Sequence, residues 1–95
     1  MADRTTIAIH VPPPLRGYCA GARMLTVPAQ SLRAVLDGLE TSHPELHRSI
    51  IDETGAVRRH VNLFVNSRHF RECGGLDAAL SPGDDLIILP AVSGG

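Results

Sequence analysis

The stretch that most restricts the fold is Asp85–Leu89. Four consecutive large apolar residues, Leu86, Ile87, Ile88 and Leu89, follow Ser81-Pro82-Gly83-Asp84 and run into Pro90. The segment before the run reads as a β-turn with proline at its second position. The residue after it has no N–H to give to a ladder. A run this short between two such stops is a strand buried on at least one face. Other segments supply its partners. Ile7, Ile9 and Val11 alternate with Thr6, Ala8 and His10, the period of a half-buried strand over Thr5–Val11 that Pro12-Pro13-Pro14 ends. A weaker strand over Arg23–Val27, closed by Pro28, follows a long hairpin connection through Gly17 and Gly21. Val61, Leu63 and Val65 alternate with Asn62, Phe64 and Asn66, and a turn begins at Asn66-Ser67. Arg68–Arg71 predicts a short return strand holding Phe70.

One helix lies between these strands. Leu32, Val35, Leu36 and Leu39 share a face at i, i+3, i+4 and i+7, and Ser31 is placed to cap their first turn. Gly38 weakens that helix by about 1 kcal/mol relative to Ala, which predicts close packing of its backbone on the sheet. Pro44 suits the first turn of a second, short helix carrying Leu46, Ile50 and Ile51. After Gly74-Gly75, the residues Leu76, Ala79 and Leu80 predict one more helical turn. The fold class is therefore α+β: a mixed sheet of about five strands on one main helix.

Composition narrows the function. The chain has 95 residues, 43% of them hydrophobic, enough to fill one core and no more. Ten acidic residues face nine basic ones, all Arg, for a net charge of −1. That balance argues against nucleic acid and against a polybasic membrane surface. The longest nearly apolar run, Leu86–Val92, is too short to span a bilayer, which needs about 20 residues. The first residues carry no apolar signal segment, and two cysteines make no disulfide framework, so a cytoplasmic location is expected.

Rival sites are poor. His43 and His47 lack the further ligands that a zinc site requires. Cys19 and Cys73 could pair only if their Cα atoms approach within about 7 Å. Arg58-Arg59-His60 reads as a solvated loop, or as a contact for acidic groups on a partner. Asp84-Asp85 reads as a turn and a strand start rather than a metal pair. No Ser/His/Asp grouping and no P-loop is present, so no catalytic and no metal residue is assigned.

The segment beyond the last strand is more telling: Pro90-Ala91-Val92-Ser93-Gly94-Gly95. Without a Cβ, terminal glycines can enter a narrow channel and present a carboxylate with little hindrance. Five residues, Ala91–Gly95, reach at most about 17 Å. From Ser81 through Gly95 the sequence resembles the C-terminus of the MoaD/ThiS sulfur-carrier family. The turn, apolar strand, proline, valine and terminal Gly-Gly stand in register. The Val61–Asn66 strand and Gly74-Gly75-Leu76 extend the likeness, which is closest to the CysO branch.

The resemblance implies a ubiquitin-like β-grasp domain over residues 1–90 and a flexible reactive tail over 91–95, with Ala91, Val92, Ser93 and Gly94 leading to Gly95. It implies that a partner adenylating enzyme activates the Gly95 carboxylate with ATP and magnesium. Sulfur then replaces AMP to leave a thiocarboxylate, and the chain is a co-substrate and not an enzyme. A pyridoxal-phosphate-dependent cysteine synthase is the expected acceptor, and biosynthesis of another sulfur-containing metabolite, secondary or thiamin, could use the same carrier chemistry. The alternatives are the small subunit of molybdopterin synthase and a non-covalent β-grasp interaction module. Strand alternation adds a partner-binding surface: if Leu63, Val65, Leu86 and Ile88 face the helix, then Phe64, Ile87 and Leu89 are left as an apolar group on open sheet.

Overall fold

The computed structural model describes residues 5–90. Strand β1 (Thr6–His10) ends before Pro12, where the triple proline starts a 3-10 helix over Pro13–Cys19. Strand β2 (Met24–Pro28) returns antiparallel to β1, with Ile7 opposite Val27 and Ile9 opposite Leu25. Helix α1 (Leu32–Ser42) comes next, and Ser31 caps it by accepting the Ala34 N–H at 3.2 Å. Helix α2 (Pro44–Ile50) begins with proline in its first turn, where a missing N–H costs nothing. Strands β3 (Val61–Val65) and β4 (Arg68–His69) form a tight hairpin. Its turn residue Asn66 has φ 58, a left-handed conformation that Asn tolerates better than most residues. Strand β5 (Asp85–Pro90) closes the fold.

The sheet order is β2-β1-β5-β3-β4, with β1 and β5 parallel and every other pair antiparallel. The most apolar strand is thus central, as its composition demands. Leu32, Val35, Leu36 and Leu39 of α1 are all buried, as are Leu46 and Ile50 of α2 and Ile51 just after it. Opposite them lie Ile7, Ile9, Val61, Leu63, Val65, Leu86 and Ile88, forming one core cluster. Each fully buried Leu or Ile contributes about 1.5–3 kcal/mol relative to exposure. This five-strand mixed sheet with its helices is the ubiquitin-like β-grasp.

Three expectations are corrected. Only Arg68 and His69 pair as a strand; Phe70 opens a 3-10 helix over Phe70–Cys73 and turns into the core. Gly75–Asp77 forms a 3-10 turn, but Ala79 is exposed and bridges Ser31 instead of being helical. Leu32 N–H donates to the Ala78 carbonyl, and Leu80 N–H to that of Gln30. This extended segment buries Ala78 and Leu80 rather than Leu76 and Ala79. Gly38 is exposed, and a Cβ there would meet nothing within 4 Å. It does not pack on the sheet.

Candidate functional site

The turn before β5 sets where the last strand enters the sheet. Gly83 has φ +90, as the third position of a type II turn requires, and the Asp84 N–H donates to the Ser81 carbonyl at 3.0 Å. The Asp84 carboxylate accepts from the Ser81 N–H (2.8 Å) and from the Asn66 side-chain amide (3.2 Å). Asn66 Oδ1 accepts from the Asp85 N–H (3.0 Å), and the Asn66 N–H donates to the Asp85 carbonyl (2.7 Å). These bonds fasten the β3–β4 turn to the start of β5. Asp84 and Asp85 are a turn and a strand start, and no group of three or more metal-ligating side chains exists among the described residues.

Alternation along β5 then divides its side chains. Leu86 and Ile88 are 1% exposed, while Ile87 is half-buried and Leu89 is 46% exposed. On β3, Val61, Leu63 and Val65 point into the core, leaving Asn62 and Phe64 on the other face. Register joins the two sets: Phe64 stands opposite Ile87, and Asn62 opposite Leu89. The expected apolar group is therefore brought together on the sheet face that the helices do not cover.

The register also shows residues that the sequence did not connect. His10 is the β1 partner of Ile87, Met24 is the β2 partner of His10, and His69 is the β4 partner of Phe64. Met24, His10, Ile87, Phe64 and His69 thus form one row across all five strands. Met24 is half exposed. His10 Nε2 lies 2.9 Å from Asp85 Oδ1. The His69 ring meets Phe64 edge-on at 84°, with centroids 5.4 Å apart. His69 Nδ1 accepts the Arg71 N–H, which leaves Nε2 to donate to Asn62 Oδ1 at 3.2 Å. The row thus has an apolar centre flanked by hydrogen-bonded polar groups. Alternation on β2 could have signalled Met24, but only the strand order places it in this row.

The last described residue, Pro90, is the register partner of Val61. The proposed tail, Ala91 to Gly95, lies outside the described residues. His43 holds the N-cap position of α2 without a side-chain capping bond, and its Nδ1 lies 2.9 Å from the Ser42 hydroxyl. Cys19 and Cys73 are both free, and burial pushes the Cys19 thiol pKa up. No helix among the described residues is long and apolar enough to cross a membrane.

The ThiS family model matches residues 19–95. The sulfur carrier protein CysO of Mycobacterium tuberculosis is 33% identical over 91 residues, covering 94% of this chain and 98% of its own. Its crystal structure superposes with a TM-score of 0.82 at 32% identity, covering 90% of this chain and 99% of that one. A chain from the Amycolatopsis orientalis BexX/CysO complex gives 0.85 at 30% identity, over 94% of this chain and 99% of its own. Small archaeal modifier protein 1 of Haloferax volcanii is 33% identical over 79 residues, 80% of this chain and 86% of the relative.

Proposed function

From the premise that this chain belongs to the ThiS family of ubiquitin-like sulfur carriers, we propose that it carries sulfur as a thiocarboxylate on Gly95 and delivers it in cysteine biosynthesis in the cytoplasm. The body is residues 1–90, and 91–95 are the tail. The observation that carries this reading is the family match, which runs through Gly95 itself on a chain that shares nearly its whole length with a sulfur carrier.

The chemistry stems from the weakness of a carboxylate as an electrophile. A partner adenylating enzyme joins the Gly95 carboxylate to the α-phosphorus of ATP and releases pyrophosphate, with magnesium offsetting the phosphate charge. Sulfide then attacks the acyl carbon and AMP leaves; with a persulfide as donor, the acyl disulfide that forms is cleaved by a second thiol, which ends as a disulfide with the donor, to reach the same thiocarboxylate. The resulting thiocarboxylate sulfur is a nucleophile held covalently, so no free sulfide is released. A pyridoxal-phosphate-dependent cysteine synthase is the acceptor in this reading. This chain's own part is to present the tail and to dock through Phe64, Ile87 and Leu89, on one partner at a time. A relative seated in a BexX/CysO complex supports a partner-enzyme role.

Incubation with the adenylating enzyme, ATP and a sulfide source should raise the intact mass by the difference between sulfur and oxygen. A chain lacking Gly95 should show no such gain yet unfold at nearly the same temperature. An unchanged mass with a competent enzyme would refute the reading. The likeness to an archaeal modifier protein favours a second one, transfer of Gly95 to an amine on another protein. That outcome would appear as a conjugate of higher mass. It would contain one copy of this chain per site, because the chain has no Lys on which to extend itself.

A further inference from the structure

Beside the strand end that leads into the tail, the surface changes character. Arg58, Arg59 and His60 run directly into Val61, the register partner of Pro90. This loop is fastened to α2. The Arg58 N–H donates to the Ile50 carbonyl (2.8 Å), and its Nε donates to the Arg48 carbonyl (2.7 Å). Arg58 thereby satisfies carbonyls that the end of a helix leaves without partners, and its two terminal nitrogens remain available. Arg48, Arg58 and His60, with Tyr18, Ser49 and Glu45, wall an open cleft of about 440 Å³.

The charges there are largely unanswered. The ion pairs among the described residues are His10–Asp85 and Arg33–Asp77, so Arg48, Arg58 and Arg59 meet no carboxylate at contact distance. Asp52 feels the field of Arg58, but its carboxylate is engaged by Thr54 and by the Ala56 N–H. Glu45 is the single acid in the cleft. One lone surface arginine means little. Arg48 and Arg58 on the wall of a cleft with a 44% exposed tyrosine, with Arg59 next in the chain, concentrate positive potential on a chain whose net charge is −1.

We propose that this cleft is a second docking surface, and that its occupant is an acidic segment of a partner protein. Carboxylates would meet Arg48 and Arg58, and an apolar residue would lie on Tyr18. A carboxylate-bearing chain fits better than a nucleic acid. Two arginines beside one glutamate can answer a few carboxylates but not a continuous run of phosphates, and one aromatic ring is no platform for successive bases. The cleft is open rather than enclosing, which suits a segment laid across it. That this partner also receives the tail rests on the sulfur-carrier reading; the affinity for an acidic segment does not.

The test is a titration of the whole, isotope-labelled chain with a synthetic peptide of Glu, Asp and Leu, monitored by amide NMR. Shifts should centre on Tyr18, Ser49, Arg58 and His60 and weaken as salt rises. Arg48→Glu, an exposed side chain without a partner, should keep the folded spectrum and lose affinity about tenfold. A chain lacking Gly94 and Gly95 should bind the peptide equally well, which separates this result from the fate of the carrier reading. The proposal is overturned if shifts map elsewhere, or if Arg48→Glu or a Lys-based peptide binds as well. Equal binding of inorganic phosphate or an oligonucleotide overturns the protein occupant. Concentration-dependent shifts without peptide would assign the cleft to a second copy and overturn it as well.

Discussion

Phe64 and Ile87 stand directly opposite one another in the β3–β5 ladder, on the face of the sheet away from the helices. Each has immediate chain neighbours that are deeply buried: Leu63 and Val65 beside the first, Leu86 and Ile88 beside the second. The core is thus complete without the pair.

That separation makes docking and folding independently testable. Phe64→Ala and Leu89→Ser should weaken binding to the adenylating enzyme by more than they lower stability. The proposed anchor cluster loses its aromatic in one variant and its most exposed apolar side chain in the other. Calorimetric binding and thermal unfolding of both variants provide the comparison. Ready unfolding of both would reverse the face assignment, and unaltered binding would remove the docking role.

Gly38 offers a gain. It lies in the interior of α1, exposed, with space for a Cβ. Gly38→Ala should stabilise the domain by about 1 kcal/mol, read as a higher midpoint in urea at unchanged slope. A loss of stability would mean that the substituted helix meets something the native one avoids.

The turn after α2 gives a pH signature. Hydrogen bonds from the Thr54 hydroxyl (2.6 Å) and the Thr54 N–H (2.8 Å) hold the Asp52 carboxyl below its ordinary value of 3.8. Because the folded value lies below the unfolded one, the ionised turn stabilises the fold above pH 3.8. That contribution is lost as pH falls through the lower, folded value. An NMR titration should place the Asp52 midpoint below that of an unstructured aspartate, and Thr54→Val should raise it. An ordinary midpoint in the native chain would contradict the assignment.

The two thiols should differ in reactivity. Cys19 is 5% exposed and burial disfavours its thiolate, whereas Cys73 is partly open. Alkylation of the native chain should modify Cys73 first and reach Cys19 on unfolding. Equal rates would show that the 3-10 helix over Pro13–Cys19 opens readily.

Period and punctuation made much of this legible. The alternation at Ile7, Ile9 and Val11, the helical spacing from Leu32 to Leu39 and the turn at Pro82-Gly83 each act within a few residues. The faces of β3 and β5 came from the same alternation. The features that escaped depend on distant partners. Ala79 left its helical turn because Ser31 offered a bridge, and Phe70 left its strand because the core offered burial. Gly38 misled because a helix interior can carry a glycine that packs against nothing. Met24 and His10 joined Ile87 only through a strand order that no local pattern specifies.

Pro90 acts as the zero mark of a ruler. It stands at the end of β5, opposite Val61 at the start of β3, so on the sulfur-carrier reading the reach from the sheet to Gly95 scales with the number of residues beyond it. One residue more or less beyond that mark changes the span by about 3.3–3.6 Å, far coarser than the tolerance of about 0.5 Å within which a reactive group must be placed. If a partner grips the sheet while working on Gly95, as proposed, it gauges length as well as sequence, and an otherwise similar chain with a tail one residue longer or shorter should dock and still miss.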